Sequence, residues 1–151
     1  MQTTSVTAIA EMSGDDEEDT RLLHAALAEA REYLGGMTWY RGVKETYFGL
    51  GVGGVVAVFL FRIDPAPDVD EWLWVVVGDL PSAYLVTDEA PTPLAALEVY
   101  CELMDEWVEV VRRGGDLDEV YPVAAEASPE NAADLARRIA FLRSEVIPAF
   151  R

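Results

Sequence analysis

Trp72-Leu73-Trp74-Val75-Val76-Val77 is β-branched or aromatic at every position except Leu73. A strand with one face in water alternates apolar and polar side chains, so a run without alternation predicts a strand covered on both faces. The stretch from Val55 to Ile63 has the same character. Val55, Ala57, Phe59, Phe61 and Ile63 take one face, and Val56, Val58 and Leu60 take the other. Any face that the helices leave bare must find a partner.

The connections between these strands are short. Gly78-Asp79-Leu80-Pro81 punctuates a tight reversal, and Ser82 to Thr87 reads as the strand returning alongside. Upstream, Tyr40 to Phe48 reads as a strand joined to Val55–Ile63 by the glycine-rich Gly49 to Gly54. Asp64 to Asp70, with Pro65 and Pro67, breaks the chain before Trp72. So few residues cannot make a parallel crossover, so the expected sheet is a four-stranded antiparallel meander. One helix precedes it, with Ser13 as N-cap, acids in its first turn and Gly35-Gly36 at its end. Two helices follow. The first has Thr92 as cap, Pro93 at its first position and Gly114-Gly115 as stop. The other starts at Ser128-Pro129 and keeps Ala132, Leu135, Ile139, Leu142 and Val146 on one stripe up to Pro148. The reading is a single α+β domain over residues 1–151, with residues 1–12 loose and Val6 to Ile9 available as an edge strand.

Charge narrows the function. The chain holds 28 Asp and Glu against 11 Lys and Arg, a formal net charge of -17, which disfavours contact with nucleic acid phosphates. Cys101 is the single cysteine, so no internal disulfide or Cys-x-x-Cys motif is available, and a reducing cytoplasm is the expected compartment. Met1 to Gly14 has neither the basic start nor the apolar run of a signal peptide, and the longest apolar run is only a strand's length. No membrane association is expected.

The motifs that suggest chemistry lack the context it needs. Gly49-x-Gly51-x-x-Gly54 has dinucleotide-binding spacing, but that motif must open a helix, and Val55-Val56-Ala57-Val58-Phe59 opens a strand. The glycines therefore predict a hairpin turn, and no cofactor is expected. His24 and Cys101 are a lone pair with no local reason to meet, and Ser82 lacks a nucleophile elbow. A meander does bring Asp64, Asp68, Asp70 and Asp88 to one end of the sheet, near Arg41, Lys44 and Arg62. There they form a candidate oxygen-ligand site for Ca²⁺ or Mg²⁺.

Two surfaces are candidates for partner binding. If the first and third helices share one sheet face, Trp72 and Trp74 with Val76 form an apolar patch on the other, and a homodimer is one way to cover it. The second surface is a strip on the helix after Thr92. Its apolar arc is broad, and the remainder holds Glu98, Glu102, Asp105, Glu106 and Glu109 with no base before Arg112; Arg137 or Arg138 is expected to balance it in part. In size, acidity and expected compartment the chain resembles, at the level of class, bacterial toxin-immunity proteins and secretion chaperones. No family motif is matched residue by residue, and four consecutive strands depart from the helix-interrupted sheet of the secretion chaperones. The expected function is a non-catalytic acidic domain that docks a basic protein. The competing expectation is an enzyme or a metal or ligand binder that uses the acidic end of the sheet.

Overall fold

The computed structural model describes residues 5–151. Five antiparallel strands form one sheet in chain order: β1 (Thr7–Ala8), β2 (Val43–Val52), β3 (Val56–Ile63), β4 (Trp72–Gly78) and β5 (Ala83–Val86). Helix α1 (Glu17–Gly35) precedes β2, and helices α2 (Pro93–Arg113) and α3 (Pro129–Phe141) follow β5. The α+β meander is the one expected, with one strand more than four. The addition is β1, whose Thr7 and Ala8 pair with Phe48 and Tyr47. The segment before α1 is therefore not loose as far as residue 12. After β1 a 3-10 turn, Ile9–Glu11, delivers Met12 into the core beside α1. The part of that expectation that concerns residues 1–4 lies outside the described residues.

The helix starts follow from their caps. Asp16, Thr92 and Ser128 each accept a hydrogen bond from the backbone N–H three residues on, at Asp19, Ala95 and Asn131. Helix α1 thus begins later than a Ser13 cap would place it. The N–H groups of Gly14 and Asp15 are held outside the helix by the Thr20 hydroxyl and the Asp19 carboxylate. Gly114 closes α2 in the left-handed region at φ 68°. The third helix does not run unchanged to Pro148. After Phe141 it widens into a π turn, Leu142–Val146, in which the Ile147 N–H reaches Leu142 O, and it then tightens into a 3-10 turn, Ile147–Phe150.

Different helices cover the two sheet faces. Phe59, Phe61 and Ile63 of β3, with Leu73, Val75 and Val77 of β4, pack against Leu23, Leu27, Ala30 and Leu34 of α1. Val56, Val58, Leu60, Trp74 and Val76 face Leu97, Tyr100, Cys101 and Met104 of α2, which in turn packs on Leu135 and Ile139 of α3. The arrangement in which the first and third helices share a face is therefore not adopted, while the broad apolar arc of the second helix does serve both the sheet and another helix. The helix with the widest apolar arc, α2, lies between the sheet and α3, and no sheet face remains bare for a second copy.

The glycine-rich segment is also partly reassigned. The turn is only Gly53-Gly54-Val55, while Gly49 and Gly51 lie within β2. A Cβ at Gly51 would sit 2.8 Å from Leu23 Cδ2 and 3.0 Å from Val56 O, and one at Gly49 would sit 2.8 Å from both Pro93 Cβ and Val58 O. The missing side chains let α1 and the start of α2 approach β2 closely. At the opposite edge of the sheet, the Tyr121 hydroxyl accepts from Tyr84 N at 3.1 Å and donates to Tyr84 O at 3.2 Å, which occupies the free side of β5.

Two glycine substitutions test this packing. Gly51→Ala is expected to destabilise by about 1–3 kcal/mol, because buried Leu23 and the β3 backbone must both give way. Gly35→Ala ends α1 with nothing within 4 Å of the new methyl, and is expected to stabilise by about 0.4–1 kcal/mol. Urea unfolding midpoints measure both. An unchanged midpoint for Gly51→Ala would show that the helix does not bear on the strand.

Candidate functional site

Residues three and four apart on a helix share a face, so Glu98, Glu102, Asp105, Glu106 and Glu109 line the side of α2 turned away from the sheet. Glu102, Glu106 and Glu109 are exposed and have no basic partner among the described residues. Glu98 and Asp105 are half-exposed and paired, Glu98 with Arg151 at 3.7 Å and Asp105 with Arg143. The Asp105 hydrogen bond pushes the Arg143 guanidinium above its ordinary range. The arginines expected to balance the strip do something else. Arg137 and Arg138 both bind Asp134 on their own helix, and Arg138 also reaches Asp79 at 3.5 Å. Spacings of three and four residues favour those local pairs, while the turns after α3 bring Arg143 and Arg151 to α2. A hollow of about 220 Å³ lies among Glu98, Glu102, Arg143, Ile147 and Arg151. The strip is thus mixed in sign at its Glu98–Asp105 end and acidic at Glu106 and Glu109, before Arg112 and Arg113 close the helix.

Cys101 lies beneath this strip and is fully buried. Burial pushes its thiol up to about 11; Asp105, Glu98 and Glu102 add to the effect and Arg143 opposes it. A thiol held protonated is a poor nucleophile at neutral pH. His24 is exposed on α1, and the sheet stands between α1 and α2, so the two side chains form no pair.

Asp64, Asp68, Asp70 and Asp88 lie at the end of the sheet away from the Gly53-Gly54 turn. They do not form a cage. Among the described residues no three carboxylate, histidine or cysteine side chains are arranged to hold a metal ion. Pro67 and Asp68 occupy the corners of a turn in which Val69 N–H reaches Ala66 O at 3.4 Å, with Asp68 at φ 62°. Arg41 donates to Pro65 O at 3.3 Å. Arg62 turns to the sheet itself and donates to Glu45 at 2.8 Å and Glu71 at 2.5 Å, which lowers both carboxyls below their usual range. Its guanidinium lies 5.7 Å from the centre of the Trp72 ring, which stacks on Tyr47 at 6.4 Å.

Trp72 and Trp74 point to the same face but have different fates. Trp74 is fully buried under the approach to α2, with Nε1 donating to Ala90 O at 2.6 Å, and offers nothing to a partner. Trp72, nearer the sheet end, is half-buried in the Tyr47–Arg62 cluster.

The structure also forms a groove that the sequence reading missed. At the turn end of the sheet, α3 and the turns at Gly54-Val55 and Asp79-Leu80 enclose two adjoining hollows of about 280 and 180 Å³. Phe141 borders the larger with 49% of its surface exposed. Its signal in the sequence was an aromatic off the Leu135–Ile139–Leu142 stripe of its helix.

No protein-family model, curated protein or solved structure matches this chain. Among the described residues no helix is long and apolar enough to cross a membrane.

The position of Cys101 sets a reactivity test. Iodoacetamide at about pH 8 is expected to leave the folded protein unmodified and to label Cys101 at the rate of unfolding. The unfolded thiol loses its proton first, so between its ordinary 9.0 and about 11 the folded state holds more protons. The stability contributed by this group is full below that interval and falls as pH rises through it. Cys101→Ala should lose that part of the alkaline slope. Rapid labelling of the native protein would show a thiol open to solvent.

Proposed function

We propose that this protein is a non-catalytic binding domain that docks a basic protein surface on the outer face of α2. The observation that carries the reading is the run of Glu102, Glu106 and Glu109, exposed and unpaired on consecutive turns of one helix. Seven of the 11 lysine and arginine side chains are engaged in ion pairs, yet none pairs directly with these three. Like charges at this spacing weaken a helix by roughly 0.2–0.5 kcal/mol per pair, a penalty that an alternating surface avoids.

The paired end of the strip gives the docking a natural competition. A basic side chain arriving at Glu98 or Asp105 displaces Arg151 or Arg143, and exposed pairs of this kind contribute only roughly 0–1 kcal/mol. Long-range attraction to a chain of formal net charge -17 accelerates the encounter, and the local strip sets where it ends. Size, acidity and this mode of contact support a role of the kind played by immunity proteins or escorts, in which one protein neutralises or carries another. The metal-binding and enzymatic reading has no comparable support, because the four aspartates do not assemble a ligand set.

The test compares two triple variants of equal charge. In one, Glu102, Glu106 and Glu109 become Gln. In the other, Glu29 and Glu32 become Gln and Asp88 becomes Asn. With the basic partner recovered by crosslinking in the native cell, the strip variant is expected to slow association about tenfold or more at low salt, and the control much less. The strip variant is also expected to be more stable by roughly 0.5 kcal/mol. Equal losses in the two variants would show that bulk charge alone attracts the partner and would overturn the assignment of the site.

A further inference from the structure

We infer that two copies of this chain associate about a twofold axis through the groove between α3 and the turn end of the sheet. This inference is independent of the acidic strip. Among the described residues only Leu117, Phe141 and Phe150 are large apolar side chains with more than a third of their surface in water, and Phe141 is the most exposed at 49%. It stands at the rim of the hollow whose wall includes Val55, Leu80 and Leu142, so one patch carries both a projecting ring and an apolar floor. A twofold contact requires that arrangement, because each copy must present the surface that fits the other. The hollow, about 280 Å³, is large enough for a ring laid across it.

Charge selects this face over the others. Two chains of formal net charge -17 repel wherever their acids meet. The charged side chains around this hollow are Asp79 and Asp134 on one side of the balance and Arg137 and Arg138 on the other, already joined in ion pairs. The face is locally neutral. Phe150 also borders a hollow, but the charged residues there are Asp15, Asp19 and Glu145, with no base, so a second copy meets only like charge. Leu117 borders none of the hollows described. In the dimer each Phe141 lies over the Val55–Leu80 floor of its partner, and Arg137 comes within reach of the other copy's aspartates.

Sedimentation equilibrium on the full chain tests this at about 0.05 and 0.5 M salt. The wild type is expected to dimerise in the micromolar range and to do so more tightly at high salt, where the general repulsion is screened. Phe141→Ala is expected to weaken the dimer about tenfold or more, and Arg137→Glu to weaken it most at low salt. Phe150→Ala should leave it unchanged. Phe141 and Arg137 are exposed, so circular dichroism melts should confirm that both variants fold. A wild-type monomer up to about 100 μM at both salts, or a dimer indifferent to Phe141→Ala, would overturn the inference. So would a dimer that dissociates when salt is added, because ion pairs and not the apolar contact would then hold it.

Discussion

Two neighbouring strands with no polar face dictate the rest of this molecule. β3 and β4 bury every residue from Val56 to Phe61 and from Leu73 to Val77. A layer of helix on each side is the smallest structure that removes them from water. Burial of a large aliphatic or aromatic side chain is worth roughly 1.5–3 kcal/mol, so an uncovered face would forfeit much of the stability of a domain this size. Other features follow from meeting that demand within 151 residues. β2 gives up two side chains so that helices can close on it from both sides, and among the described residues no charged or polar residue is buried in the core.

Most of this was legible in the sequence because the signals were local. Two-sided apolar runs, Thr92-Pro93, Ser128-Pro129 and Gly114 mark their own elements without reference to the rest of the chain. What was not legible depends on distance. A two-residue strand such as β1 has no periodicity to read, so Val6 to Ile9 was available as an edge strand but nothing local fixed its pairing. The side of the sheet each helix takes is settled by how the chain closes, and neither apolar face differs enough in composition to announce its helix. Gly49 and Gly51 look like loop residues until Leu23 and Pro93 are seen beside them. The candidate site was half legible for the same reason. Helical spacing alone gives the acidic strip, whereas the pair between Arg143 and Asp105 spans 38 residues and depends on a π turn that local propensity does not mark. Trp72 and Trp74 look equivalent by alternation, and only the point where α2 is reached separates them.

The core and the surface follow separate rules here. Packing is settled by apolar contacts and by polar groups that find partners, down to the indole N–H of Trp74, which donates to Ala90 O, and the hydroxyl of Tyr100, which donates to Pro81 O. Among the described residues charge is kept out of the core, and much of what is neutralised is neutralised locally, as in the Arg62 cluster and the Asp134 pairs. Surface charge can therefore be redistributed with little disturbance to the fold.

The Tyr121 hydroxyl on β5 makes the protection of one sheet edge depend on a segment with little regular structure of its own. Between α2 and α3 the chain has a single 3-10 turn, Leu117–Glu119, before it lays the phenol against Tyr84. Val120, Tyr121 and Val123 of the same segment pack on the core beneath α2, so a cut that freed them would expose the outer backbone groups of β5 and part of that core together. The guard on this edge and a share of the packing thus depend on the same few residues.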